Sequence, residues 1–130
     1  MKVLTCDAEP VLLAAIEFRL RKYGLEIIQT KRKDAHKAIE QHRPDMLIID
    51  TESNPAASLK LLQEVKTNAR NAFPVIIASV IEDEEELWAA LRAGAEDFIT
   101  KPFKPIELVL RVRRLLNALE LKKVDGGMGK

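Results

Sequence analysis

Polar side chains stand at equivalent places in this 130-residue chain, each directly after a short apolar run. Asp7 follows Val3-Leu4-Thr5-Cys6, and Asp50 follows Met46-Leu47-Ile48-Ile49. Ser79 follows Val75-Ile76-Ile77-Ala78, and Thr100 and Lys101 follow Asp97-Phe98-Ile99. Two carboxylates suit a hard cation such as Mg2+, which takes oxygen ligands in a near-octahedral shell. A lysine and a hydroxyl facing them suit an incoming phosphoryl group. A strand-terminal aspartate, a metal and a fixed cation are together what an aspartyl phosphate requires. Taken singly, each residue is ordinary, since an Asp after a strand most often caps a helix or a turn. The weight lies in their convergence, which the rest of the chain must supply.

Convergence requires the runs to be neighbouring strands that end at one edge. Each run, with Glu26-Ile27-Ile28 as a further one, is too short for a helix and rich in β-branched residues. Between them the period is helical: Leu12, Ile16 and Leu20; Ala35, Ala38 and Ile39; Leu59, Leu62 and Val65; Leu87, Ala90 and Leu91; then Leu108, Val112, Leu115 and Leu119. Gly24 and Gly94 stand where left-handed helix caps are expected. Pro44 closes the second helix, Pro74 opens the fourth strand, and Pro105 suits a first helical turn. The acidic run from Glu82 to Glu86 opens the fourth helix, and Lys122 and Lys123 close the fifth. Five strand–helix repeats result. The third and fourth strands are apolar throughout, as in a parallel sheet covered on both faces. Right-handed crossovers then give an open, doubly wound α/β sandwich whose ligands bind beyond the carboxyl ends of the strands. The domain is expected over residues 1–122, with 123–130 as a flexible tail or the start of a linker.

Composition narrows the function classes. Lys plus Arg number 21 and Asp plus Glu 20, a net charge of +1 that gives no sequence-wide footprint for direct nucleic-acid binding. No apolar run approaches the roughly 18 residues of a membrane span, and Asp7 follows the start too closely for a signal peptide. The single cysteine, Cys6, allows neither an internal disulfide nor a multi-cysteine zinc site, and is expected as a buried strand residue. A cytoplasmic location is expected.

These residues resemble a known family over about residues 2–121: the receiver domain of bacterial two-component response regulators. Val3-Leu4-Thr5-Cys6-Asp7-Ala8-Glu9-Pro10 looks like its first strand and acidic pocket, and Arg43-Pro44-Asp45-Met46-Leu47-Ile48-Ile49-Asp50 like the strand ending in its phosphoacceptor. Phe73-Pro74-Val75-Ile76-Ile77-Ala78-Ser79 resembles the strand ending in the switch hydroxyl, and Ala93-Gly94-Ala95-Glu96-Asp97-Phe98-Ile99-Thr100-Lys101-Pro102-Phe103 is the most specific stretch. The resemblance implies a flavodoxin-like (βα)5 fold, with five parallel strands in the order 2-1-3-4-5 and five helices. It implies that Asp50 accepts a phosphoryl group from a histidine kinase or phosphotransfer protein. Asp7, Asp50 and the Glu52 carbonyl would hold Mg2+, Ser79 and Lys101 would bind phosphoryl oxygens, and Ser79 and Phe98 would form the switch. A cis Lys101–Pro102 bond is implied as well. The output would be the face of the fourth helix, fifth strand and fifth helix, which could also form a homodimer; Trp88, Arg92, Glu96, Asp97, Arg111 and Arg113, with Val109 and Leu116 as surplus apolar groups, fit a contact surface. The domain would not be an enzyme beyond self-catalysed phosphotransfer and dephosphorylation.

The chain also departs from that pattern. The family normally has two acids where Asp7-Ala8 stands, so Ala8 replaces a metal-binding carboxylate and Mg2+ binding is expected to be weakened. Pro55 comes one residue late, Ser58 stands where glycine is common, and Val80 where a small residue is common. An alternative is therefore a pseudo-receiver, an interaction module that signals without phosphate. A phosphatase of the haloacid-dehalogenase kind would want a second Asp two residues after its nucleophile, where this chain has Glu52, and room for a cap domain.

Overall fold

Successive residues of the inner strands enter opposite layers, which is what a strand buried on both faces must do. The computed structural model describes residues 1–51, 55–80 and 84–127, with side chains described to residue 117. Along β3 (Met46–Asp50), Met46 and Ile48 join one apolar cluster while Leu47 and Ile49 join the other. Along β4 (Val75–Ser79), Ile76 and Ala78 face the first cluster and Val75 and Ile77 the second. Both strands are buried throughout. Beside them lie β1 (Lys2–Cys6), β2 (Glu26–Thr30) and β5 (Asp97–Thr100), all parallel, in the order β2-β1-β3-β4-β5.

The helices are α1 (Pro10–Arg21), α2 (Ala35–His42), α3 (Pro55–Thr67), α4 (Glu84–Arg92) and α5 (Pro105–Gly127). Buried residues of α1 and α5 share the first cluster, and those of α2, α3 and α4 the second. A single 3-10 turn, Arg32–Asp34, precedes α2. The fold class expected from the sequence is thus the one observed, with strand order included.

Several details of the helix faces differ from the periodicity. On α1, Leu13 rather than Leu12 lies deepest with Ile16 and Leu20. Leu91 of α4 is 40% exposed, leaving Ala90 as the residue that seats this helix. Val109 and Leu116 of α5 are buried with Leu108 and Val112, so they are not surplus; Ile106 and Leu110 hold the exposed positions instead. The reason is the breadth of the α5 stripe, which must cover both the sheet and α1. The α5 backbone also runs past Lys122 and Lys123, because no proline interrupts it before Gly126 and Gly127 at its end. Arg43 takes the left-handed conformation (φ 48°) just before Pro44 and ends α2. Gly24 and Gly94 adopt the left-handed conformations expected of them (φ 78° and 102°).

Candidate functional site

The carboxyl edge of the sheet gathers the polar residues because each strand ends as its apolar run ends. Asp50 closes β3 and is 4% exposed; Ser79 closes β4 at the same level of burial. Backbone bonds stitch these ends together: Thr51 N–H donates to the Ala78 carbonyl at 2.9 Å, and Lys101 N–H to the Ser79 carbonyl at 2.9 Å. The Lys101–Pro102 peptide bond is cis, as the resemblance implies. Lys101 Nζ donates to both oxygens of Asp50, at 2.6 and 2.7 Å, and lies 3.7 Å from Glu9 Oε1. An ammonium held against a buried carboxylate is a strong, charge-assisted contact.

Ser79 and Phe98 line one cavity of about 320 Å³ between α3 and α4, with Thr51, Leu59, Ile77 and Ala89 among its walls. Thr51 Oγ1 is buried without a hydrogen-bond partner among the described residues. Phe98 is partly buried, packed against the second apolar cluster.

Asp7 is placed differently. Its backbone is left-handed (φ 57°) and its N–H donates to the Thr30 carbonyl at 3.0 Å, tying the end of β1 to the end of β2. Its carboxylate turns toward the 3-10 turn: Oδ1 accepts from the Arg32 backbone N–H at 3.2 Å, and Oδ2 lies 3.8 Å from the Arg32 guanidinium. Ala8 is partly buried against the first cluster. Glu52, predicted to lend its carbonyl to a metal, lies outside the described residues. Cys6, beneath this edge, is buried as expected. Burial pushes its thiol up to about 12; the Asp7 charge adds to the rise and Arg32 opposes it.

The donor set can be tested against the Mg2+ that the resemblance implies. The ion takes several oxygens in octahedral array. Asp7 and Asp50 are the carboxylates at the strand ends, Asp50 held by the Lys101 ammonium and Asp7 by the Arg32 backbone N–H with the guanidinium 3.8 Å away; Glu9 lies beside Lys101, and Ala8 offers no oxygen. Among the described residues no three His, Cys, Asp or Glu side chains gather as a metal cluster would require. Asp7, Asp50 and Glu9 are thus the carboxylates that the described residues could offer such an ion, and Ala8 adds none.

The structure brings Asp50, Ser79 and Lys101 to one edge, as the sequence pattern places them, and adds Glu9, Arg32 and Thr51 as neighbours that the pattern did not single out. Glu9 was visible in the loop after the first strand. Arg32 lies beyond β2, whose apolar run stops at Ile28 although the strand continues to Thr30.

Comparison with known proteins agrees with this geometry. The sequence model of the response regulator receiver domain family matches residues 3–113. The chain belongs to that family. As a receiver domain it falls within two-component signal transduction. It is 34% identical over 128 residues to the probable transcriptional regulatory protein TcrX of Mycobacterium tuberculosis, covering 96% of this chain and 53% of that one. Identity to the transcriptional regulatory protein KdpE of the same species is 32% over 126 residues, covering 93% and 55%. This receiver domain thus spans about half the length of the curated relatives it matches. Among solved structures, NtrX from Brucella abortus superimposes with a TM-score of 0.80 at 28% identity, over 98% of this chain and 29% of that one. No helix among the described residues is long and apolar enough to cross a membrane.

Proposed function

We propose that this receiver domain is phosphorylated on Asp50 by a phosphohistidine of a histidine kinase or phosphotransfer protein. The observation that carries the reading is the Lys101 ammonium held at 2.6 and 2.7 Å from the two oxygens of a buried carboxylate. A carboxylate oxygen of Asp50 forms the bond to phosphorus as the P–N bond of the phosphohistidine breaks, and the electron pair leaves with the imidazole. Lys101 offsets the charge that accumulates on the phosphoryl oxygens, and the Ser79 hydroxyl donates to one of them. Fixed groups of this kind need no rearrangement during transfer, which is where their catalytic value lies. Acetyl phosphate, a small phosphodonor, tests this: intact mass should show one added phosphoryl group on the wild type and none on Asp50→Asn. Undiminished labelling of the variant would overturn the assignment.

The second reading, a module that signals without phosphate, is favoured by Ala8 and by the Asp7 carboxylate being held by Arg32. Absence of labelling on the wild type under all conditions would select it.

The output face we propose is that of α4, β5 and α5. Trp88, Leu91, Ile106 and Leu110 are exposed on it, and Asp97 accepts from Arg111 and Arg114 at 2.8 Å each. Ser79 and Phe98 stand on the two strands beside α4, so a change at the hydroxyl has a short path to this face through their shared cavity. A self-complementary apolar and charged patch suits a two-fold dimer. Sedimentation should show association of the phosphorylated chain, lost in Leu110→Asp; a monomer in every state, with amide shifts confined to the strand ends, would remove this face as the output.

A further inference from the structure

Glu9 stands at the N-cap of α1, where Ser, Thr, Asp and Asn are the usual residues because their short side chains bond the first helical N–H groups. Its side chain makes no capping bond. The helix starts instead on Pro10, whose fixed φ suits a first turn, and on the Glu9 carbonyl, which accepts from Leu13 N–H at 2.8 Å. The carboxylate is turned to the pocket, with Oε1 3.7 Å from Lys101 Nζ. Strands β3 and β4 lie between β1 and β5, so this pair spans the edge on which Asp50 and Ser79 end. Exposure orders the three charged groups. The Asp50 side chain is 3% exposed, that of Lys101 11% and that of Glu9 47%. Lys101 thus meets Asp50 on its inner side and Glu9 on its outer side. Asp7, earlier in the same loop, is turned to Arg32, and Ala8 carries no charge.

We infer that Glu9 is an electrostatic gate on Lys101, set against anionic phosphodonors in proportion to their charge. The inference rests on the reading of Asp50 as phosphoacceptor. A phosphoryl group coming from solvent must reach the outer side of the Lys101 ammonium, which is the side that Glu9 holds. It has to share the ammonium with a carboxylate or displace it, and the cost grows with each negative charge that the donor carries. The half-exposed position of Glu9 keeps the effect moderate, because water and salt screen it. The transfer itself is unaltered: an Asp50 oxygen bonds to phosphorus as the donor's bond to phosphorus breaks, and the leaving group departs with the electron pair. Acetyl phosphate, chiefly a dianion at pH 7, releases acetate; phosphoramidate, chiefly a monoanion there, releases ammonia. The first should feel the gate more than the second. The opposing view is that Glu9 and Lys101 form an ordinary surface pair with no bearing on the donor.

Labelling of the full chain by each donor, at fixed MgCl2 and ionic strength and followed by intact mass, separates these views. Glu9→Gln keeps the size of the side chain and removes its charge. It should be labelled about tenfold faster than the wild type by acetyl phosphate and no more than about threefold faster by phosphoramidate. Glu9→Asp, which keeps the charge, should keep the wild-type ratio of the two rates. An unchanged ratio in Glu9→Gln would overturn the inference. Slower labelling of Glu9→Gln by either donor would overturn it too, by showing that Glu9 holds Lys101 or another cation in its working place. A second arm needs no covalent step. Inorganic phosphate is titrated into each protein and read by the Lys101 amide shift, and Glu9→Gln should bind it about tenfold more tightly than the wild type. Equal affinity, or no binding by either protein, would overturn the inference. Absence of labelling in every protein with both donors would instead refute the phosphoacceptor reading, and the phosphate titration would then decide the role of Glu9 alone.

Discussion

The carboxyl edge of the sheet has two unlike halves. Toward β3, β4 and β5, the buried Asp50 and the partly buried Lys101 meet through two short contacts, with Ser79 joined to Lys101 along the backbone. Toward β1 and β2, Asp7 and Arg32 are each about a third exposed and meet at 3.2 and 3.8 Å. In the first half Asp50 and Ser79 end inner strands, which cannot move without disturbing both apolar layers, and Lys101 follows the edge strand β5. In the second Asp7 follows the inner strand β1, whereas Arg32 begins the 3-10 turn beyond the edge strand β2. The group proposed to do the chemistry thus sits where position is most rigid. On the β1 side Ala8 stands where the family has an acid, and on the β4 side Val80 stands beside Ser79 where it has a small residue.

The contrast can be broken most directly by removing each cation. Lys101→Ala strands a buried carboxylate and should cost about 3 kcal/mol in urea unfolding at pH 7, whereas Arg32→Ala should cost under about 1 kcal/mol. Comparable losses would mean that the two halves are energetically alike. A smaller effect comes from Cys6, which lies under both. Its thiol is neutral in the folded state up to about pH 12 but ionises near 9.0 when unfolded. The unfolded chain therefore binds fewer protons above pH 9, so stability falls as pH rises from there toward 12, by at most about 1.4 kcal/mol per pH unit. Cys6→Ala should flatten that slope relative to the wild type, and native Cys6 should resist alkylation at pH 8. Ready alkylation without unfolding would show that the edge opens.

The two halves also differed in how well the amino-acid sequence revealed them. Asp50 and Ser79 each end an apolar run with a clean boundary, so burial on both faces marked β3 and β4 and their ends together, while Lys101 follows the half-covered edge strand β5 and was marked by the stretch that ends in Lys101-Pro102-Phe103. The β2 run is only Ile27-Ile28 before Gln29 and Thr30, since an edge strand with a solvated side carries a weak apolar signal. Its end, and with it Arg32, could not be located. The direction of the Asp7 side chain was hidden for a related reason: it follows from a left-handed backbone at a non-glycine residue, which no local pattern announces. On α5, a single stripe was expected, yet Val109 and Leu116 are buried because the helix packs on α1 as well as on the sheet.

The central claim is that Asp50 becomes an acyl phosphate, and borohydride trapping tests it at the level of the atom. An acyl phosphate on aspartate is reduced to homoserine, which survives proteolysis and can be placed by peptide mass. After reaction of the whole chain with acetyl phosphate, homoserine should be found at position 50 and nowhere else, and Lys101→Ala should lower its yield. Homoserine at another position, or none at position 50 despite a phosphoryl mass gain, would contradict the account.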